Sequence, residues 1–155
     1  MKYWLFKTEP DVFSIEDLIR EKLSYWEGVR NYQARNYLRD EVKLGDLVLF
    51  YHSRLEPPGV VGIAEIAKEA SPDPYQFDPN HKYFDPKLKG TEPRWFGVHL
   101  KPHTKFDELI PLDLLKKTKG LEKMVVTQKG SRLSIQPVTK KEFEIVTKLA
   151  GVTVK

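Results

Sequence analysis

The sequence predicts an α+β fold: a mixed or antiparallel, barrel-like sheet of five or six strands with short helices inserted between them. Two observations predict it. Strand-patterned runs follow one another without the long crossover helices of a doubly wound sheet, and the helices that are signalled are short and capped. A chain of 155 residues is most simply one domain, spanning 1–155, with enough length for a real hydrophobic core.

The elements read in order. Residues 2–7, KYWLFK, form an aromatic-rich strand, and Pro10 turns the chain after it. Ser14 is an N-cap with Asp17 three residues on, a capping box that opens a helix over about 15–21, stapled by Phe13 and Leu18. A brief strand over 23–27 ends at Gly28. A second helix over 31–41 starts at Asn31, with Tyr32, Arg35 and Leu38 on one side.

Gly45-Asp46 turns the chain into the apolar strand LVLFY, 47–51. A Pro57-Pro58-Gly59 turn precedes the strand VVGIAEIA, in which Gly62 signals a bulge or a close backbone approach. Residues 71–94 carry Asp-Pro steps among loosely spaced aromatics and read as successive ordered turns covering the sheet. Strand pattern returns at 95–101. Pro111 precedes a short helix that closes near Gly120, and 123–137 reads as two short strands around Lys129-Gly130. Thr139 and Glu142 form a second capping box for a last helix, with Phe143, Val146 and Leu149 or Ala150 as its buried stripe and Gly151 at its end.

Several function classes lack support. There is no cysteine, hence no disulfide framework, no thiol nucleophile and no cysteine-based zinc site. The opening MKYWLFK is too short for a signal h-region, and no apolar run reaches the roughly 20 residues of a membrane span. His99 and His103 share a strand face, but four residues along a strand separate them by about 13 Å, too far for one zinc ion. No metal site, no catalytic set and no cofactor motif is legible; HExxH, P-loop and GxSxG patterns are all missing.

Charge is uneven. Residues 1–110 hold 16 Lys/Arg against 18 Asp/Glu, whereas 111–155 hold 10 against 4, so the whole surplus lies in the last third. Such a surplus steers a polyanion or serves as a solubilising surface. Arg132 with Lys116, Lys117, Lys119, Lys123 and Lys129 is the candidate backbone-binding rim.

The run from Trp26 to Asn36, WEGVRNYQARN, carries the most chemistry. An aromatic ring, two arginines, two asparagines and a glutamine fall within eleven residues. Fork-shaped donors and amides beside an indole are the groups that read a planar, hydrogen-bonding ligand such as a nucleobase. A core tryptophan followed by a solvated polar helix accounts for the same pattern, and both readings stand at this level. Trp4 and Trp95 read as core residues before stacking platforms.

A wider set of motifs adds to this. YWLFKTE with Pro10, WEGVRNYQARN, FYHS at 50–53, PPGVVGIAE at 57–65, Phe77-Asp78-Pro79, YFDP at 83–86, Pro93-Arg94-Trp95 and RLSIQ at 132–136 occur in order along essentially the whole chain. Together they resemble the EVE domain family. The resemblance implies a PUA-like mixed pseudo-barrel sheet with short peripheral helices. It implies a reader, rather than an enzyme, of a modified base in DNA or RNA, flipped or single-stranded.

The resemblance assigns the base pocket to Trp26, Val29, Arg30 and Asn31; to Lys7, Thr8, Glu9 and Pro10; to Tyr51, His52 and Ser53; and to Leu133 and Ser134 beside Arg132. Thr8 stands where a serine is common in the family, and keeps the hydroxyl. On this reading Trp26→Ala abolishes base selectivity in a domain that still folds. The competing classes are an enzyme acting on a nucleotide-like small ligand and a protein-interaction module. The expected partner is DNA or RNA carrying a modified base, with no membrane association and an unidentified protein partner as a further option. Oligomeric state has no signature in the sequence. The expected location is the cytoplasm of a bacterium or archaeon, or the nucleus of a eukaryote.

Overall fold

The computed structural model describes residues 1–88, 92–130 and 132–154. Among these, six strands form one sheet in the order β2-β5-β4-β3-β1-β6. The strands are β1 (Tyr3–Thr8), β2 (Ser24–Tyr25), β3 (Leu47–His52), β4 (Gly59–Pro72), β5 (Phe96–Pro111) and β6 (Ile135–Val138). Only β1 and β3 run parallel; the other neighbours are antiparallel. The mixed sheet predicted from element order is present.

Alternation along the central strands divides the core in two. Trp4, Phe6, Val48 and Phe50 point to one face, where α1 (Ile15–Glu21) and α2 (Tyr32–Asn36) cover them with Leu18, Ala34 and Leu38, the last from the helical turn that continues α2. Leu5, Leu47, Leu49 and Tyr51 point to the other face, covered by α3 (Leu112–Lys117), the turns after it and α4 (Lys140–Leu149). β3 is buried at all six positions, which explains its uninterrupted apolar sequence.

Both capping boxes form. The Ser14 hydroxyl accepts the Asp17 amide while the Asp17 carboxylate accepts the Ser14 amide, and Thr139 and Glu142 do the same for α4. Gly62 sits beside a register shift between β3 and β4, and a side chain there would meet Thr104 O and Ile15. Bulge and close approach therefore coincide at this glycine.

Three differences from the sequence reading have physical causes. β4 and β5 extend to 14 and 16 residues, well past their apolar runs, because they pair with each other through several register shifts as the sheet bends. The segment 123–137 contributes one strand, not two. A 3-10 turn at Val125–Thr127 replaces the first, with the Thr127 hydroxyl donating to the Leu121 and Met124 carbonyls. The second helix spans Tyr32–Asn36 and continues as a π-helical turn, Tyr37–Glu41. It buries Ala34 and Leu38, while Tyr32 stays exposed on the Trp95 ring. The turns expected over 71–94 form where described, beginning with a 3-10 turn at Pro74–Phe77; positions 89–91 lie outside the described residues.

Candidate functional site

The parallel pairing of β1 with β3, and the antiparallel pairing of β1 with β6 on its other edge, fix one end of the sheet. The Lys7 amide donates to Ser134 O at 2.8 Å, and the Ser53 amide donates to Thr8 O at 2.9 Å. Segments far apart in sequence thus converge. The chain from Tyr25 to Arg30 crosses beside them, held by the Trp26 amide donating to Val98 O at 2.7 Å. Between them lies a cavity of about 550 Å³, within the range of small-ligand sites.

Nine residues predicted from sequence line this cavity: Lys7, Thr8, Glu9, Trp26, Val29, Arg30, Ser53, Arg132 and Ser134. Trp26 is both wall and core. It is 9% exposed and packs on Phe6, Phe13 and Phe50 at centroid distances of 5.4, 6.2 and 5.7 Å. The indole N–H groups of Trp4 and Trp95 donate to Asp46 and Asp85 at 3.0 and 2.7 Å. Among the described residues that of Trp26 makes no hydrogen bond, and the Trp26 side chain lines the cavity.

Arg30 is largely committed to the protein. Its guanidinium donates to the Asp73 carboxylate at 3.1 Å, to Val29 O at 3.0 Å and, from two nitrogens, to Tyr83 O at 3.3 and 2.7 Å. Four of its five donors are used. Asp73, fully buried, also accepts the Gly28 amide at 3.0 Å and the Tyr75 amide at 2.8 Å. Gly28 has φ +80°, and a Cβ there would overlap the Tyr83 ring. The Tyr83 ring therefore closes over a backbone that only glycine leaves clear.

Lys7 is half-buried, and burial lowers its pKa. Its ammonium lies 5.8 Å from the centre of the Tyr51 ring. No carboxylate pairs with it among the described residues, so a cation at the cavity edge is available to an anionic group. Arg132 is exposed at the same cavity.

Other predicted residues lie elsewhere. Tyr51 alternates to the second core, where burial pushes its hydroxyl up to about 12. Asn31 is the N-cap of α2, its Oδ1 accepting the Ala34 amide at 2.9 Å. Leu133 packs against the first core, and Pro10 serves the turn after β1 without lining the cavity. Lys116, Lys117, Lys119, Lys123 and Lys129 belong to a segment that buries Leu115, Leu121, Met124 and Val126 in the second core; none lines the cavity.

His52 is buried at the start of α1, where its Nε2 accepts the Ile15 amide at 3.2 Å. That bond requires a neutral ring with its proton on Nδ1. Burial lowers the His52 pKa, against the opposing charges of Glu16 and Asp17. The folded state thus favours the neutral ring. Its stabilising contribution is present above the unfolded value of about 6.5 and is lost as pH falls through the lower folded value. Thermal melts from about pH 7.5 to about pH 5 should show this loss, and His52→Gln, which keeps an acceptor but does not titrate, should remove that component. Identical pH slopes in the two proteins would refute the assignment.

Sequence reasoning missed Asp73 and Tyr83 as site-builders, along with Phe13, Tyr25 and Lys82 in the lining. Asp73 stood in an Asp-Pro run that reads as turn chemistry, and Tyr83 only as part of a family motif. Among the described residues, no group of three or more His, Asp or Glu is placed to hold a metal ion, and no helix is long and apolar enough to cross a membrane.

The chain is similar to proteins whose structures are known. The EVE domain model matches residues 2–149. Thymocyte nuclear protein 1 of Homo sapiens is 41% identical over 165 residues, covering 95% of this chain and 73% of that protein. A crystal structure of a Pseudomonas syringae protein superposes with a TM-score of 0.91 at 43% identity, covering 96% of this chain and 99% of the other. The crystal structure of human THYN1 protein in complex with 5-methylcytosine-containing DNA superposes with a TM-score of 0.88 at 40% identity, covering 99% and 100%.

Proposed function

The chain belongs to the EVE domain family, and from that premise we propose that it is a non-catalytic reader of a modified base in DNA, with methylated or hydroxymethylated cytosine as the leading ligand. The observation that carries this reading is the cavity at the β1 exit. An aromatic wall meets there with an indole N–H and two cations, Lys7 and Arg132, that have no hydrogen-bond or carboxylate partner among the described residues. The human relative bound to 5-methylcytosine-containing DNA supports the choice of base and of DNA over RNA.

The cavity supports the following mechanism. A base enters single-stranded or extruded from a duplex, and extrusion costs a few kcal/mol. Contact with Trp26 and edge hydrogen bonds offset that cost. Burial of one extra methyl group contributes about 0.8 kcal/mol, or about fourfold in affinity. Lys7 and Arg132 hold the phosphates on either side of the extruded nucleotide, which positions it without reading its identity.

Binding of matched oligonucleotides carrying cytosine, 5-methylcytosine or 5-hydroxymethylcytosine, as single strands and duplexes, tests this directly. Selectivity of about fourfold or more for a modified base is expected. Equal affinity for all three overturns the reading; turnover of a bound nucleotide identifies an enzyme; absence of any nucleic-acid binding identifies an interaction module. RNA oligonucleotides of the same series decide between the two polymers. Arg132→Ala should weaken modified and unmodified strands alike and flatten the salt dependence by about 0.7–0.9 in the log–log slope. A selective loss for the modified strand would place Arg132 in base reading instead.

A further inference from the structure

A second cleft, of about 350 Å³, adjoins the first. Arg30, Lys82 and Tyr83 line both, so the two cavities share a wall. The second cleft is both aromatic and basic. Tyr32 is 54% exposed and Phe84 37% exposed, unusual for rings with a core available nearby. Tyr32 stacks on Trp95 with centroids 5.0 Å apart and an interplanar angle of 27°. The Arg35 guanidinium lies 5.0 Å from the Tyr32 ring centre and is itself anchored by donating to Arg94 O at 3.0 Å.

The charges in this cleft are unbalanced. Among the described residues Asp85 is the single carboxylate in its wall, and it accepts from the Trp95 indole at 2.7 Å and from Arg94 at 3.4 Å. Among the described residues Lys82 and Lys87 pair with no carboxylate. Exposed rings beside ammonium groups without carboxylate partners, that of Lys82 lying 5.1 Å from the Tyr83 ring centre, are continuous with a base-sized cavity and match the chemistry of single-stranded nucleic acid: a π-face followed by a phosphate.

We propose that this cleft is the subsite for the nucleotide flanking the one held in the main cavity, its base against Tyr32 and Phe84 and its phosphate against Lys82 and Lys87. The inference rests on the base-reading function proposed above and extends it. The strand crosses the shared wall, and Tyr83, packed over Gly28, separates the two nucleotides. Stacking there has no edge recognition, so the subsite adds affinity for any flanking base without adding selectivity for the modification.

Binding of 5-methyl-2′-deoxycytidine and of a single-stranded DNA pentamer with central 5-methylcytosine or cytosine tests the proposal. The proteins compared are wild type, Tyr32→Ala, Tyr32→Phe, Phe84→Ala and Lys87→Ala, positions that line only the second cleft. Tyr32→Ala and Phe84→Ala should each weaken the pentamers at least about fivefold, with the modified-to-unmodified ratio and the nucleoside affinity unchanged. Tyr32→Phe should restore wild-type binding. Lys87→Ala should lower the pentamer's log–log salt slope by about 0.7. Unchanged pentamer affinity in all three truncations overturns the subsite, as does a parallel fall in nucleoside affinity, which makes the cleft a support for the main cavity. A wild type without base selectivity whose pentamer binding still falls in the ring variants keeps the subsite and overturns the base-reading function.

Discussion

Replacing Trp26 by alanine is expected to destabilise the folded protein by about 3–5 kcal/mol, the cost of deleting a large aromatic from a packed core. Trp26 is 9% exposed and central to a cluster of Phe6, Phe13 and Phe50, so the ring is structural before it is anything else. The sequence reading expected a folded, non-binding Trp26→Ala protein; the packing removes that clean outcome. Trp26→Phe separates the roles. It keeps a ring among the three phenylalanines and deletes the indole N–H. Its expected phenotype is a folded protein whose affinity for the modified base drops by the worth of one hydrogen bond, about 0.5–1.5 kcal/mol. Denaturant titration of both variants, with binding measured on the phenylalanine protein, checks the pair. A Trp26→Ala protein of wild-type stability would contradict the core assignment, and undiminished binding by Trp26→Phe would remove the indole from recognition.

The second large effect is expected at Asp73. Its carboxylate is buried and binds the Arg30 guanidinium, the Gly28 amide and the Tyr75 amide together. Asp73→Ala strands three donors, one of them charged, and should cost about 3–5 kcal/mol by the precedent of broken buried pairs. The site should suffer with the fold, because Asp73 holds Gly28 and Arg30 in the cavity wall, and Arg30 in turn donates to Tyr83 O. Arg30→Lys is the milder partner. It keeps a charge for Asp73 but loses the fork that also reaches Tyr83 O. Expected results are a deep loss of denaturant midpoint for Asp73→Ala and a smaller one for Arg30→Lys. If Asp73→Ala unfolds at the wild-type midpoint, the carboxylate is not the fastening.

The family motifs converge on one end of the sheet but do not give the division of labour within it. Lys7, Trp26, Arg30, Ser53, Arg132 and Ser134 line one cavity there. His52 and Asn31, equally polar and adjacent to lining residues, are spent on helix starts. A polar side chain near a site satisfies the nearest unpaired backbone group first when that group is buried, because an unmade bond there is costly. Sequence adjacency carries no information about which donor is nearest. In the basic C-terminal third, Arg132 lines the cavity, whereas Lys116, Lys117, Lys119, Lys123 and Lys129 do not, and their segment buries Leu115, Leu121, Met124 and Val126 in the second core.

What the sequence determined by itself is whatever local chemistry determines. Ser14 with Asp17 and Thr139 with Glu142 specify helix starts because both hydrogen bonds of each box close within four residues. The apolar run at 47–51 specifies a central strand because only a strand buried on both faces tolerates it. What tertiary structure decided depends on partners distant in sequence. The lengths of β4 and β5 came from their mutual pairing across register shifts, not from their own apolar pattern. Asp73 became the anchor of the candidate site through bonds to residues 43 and 45 positions away. Trp26 became core and wall at once because Phe6, Phe13 and Phe50 arrive from three other segments. Such assignments are set by which surfaces meet when the sheet closes, and no window of sequence contains both sides of the contact.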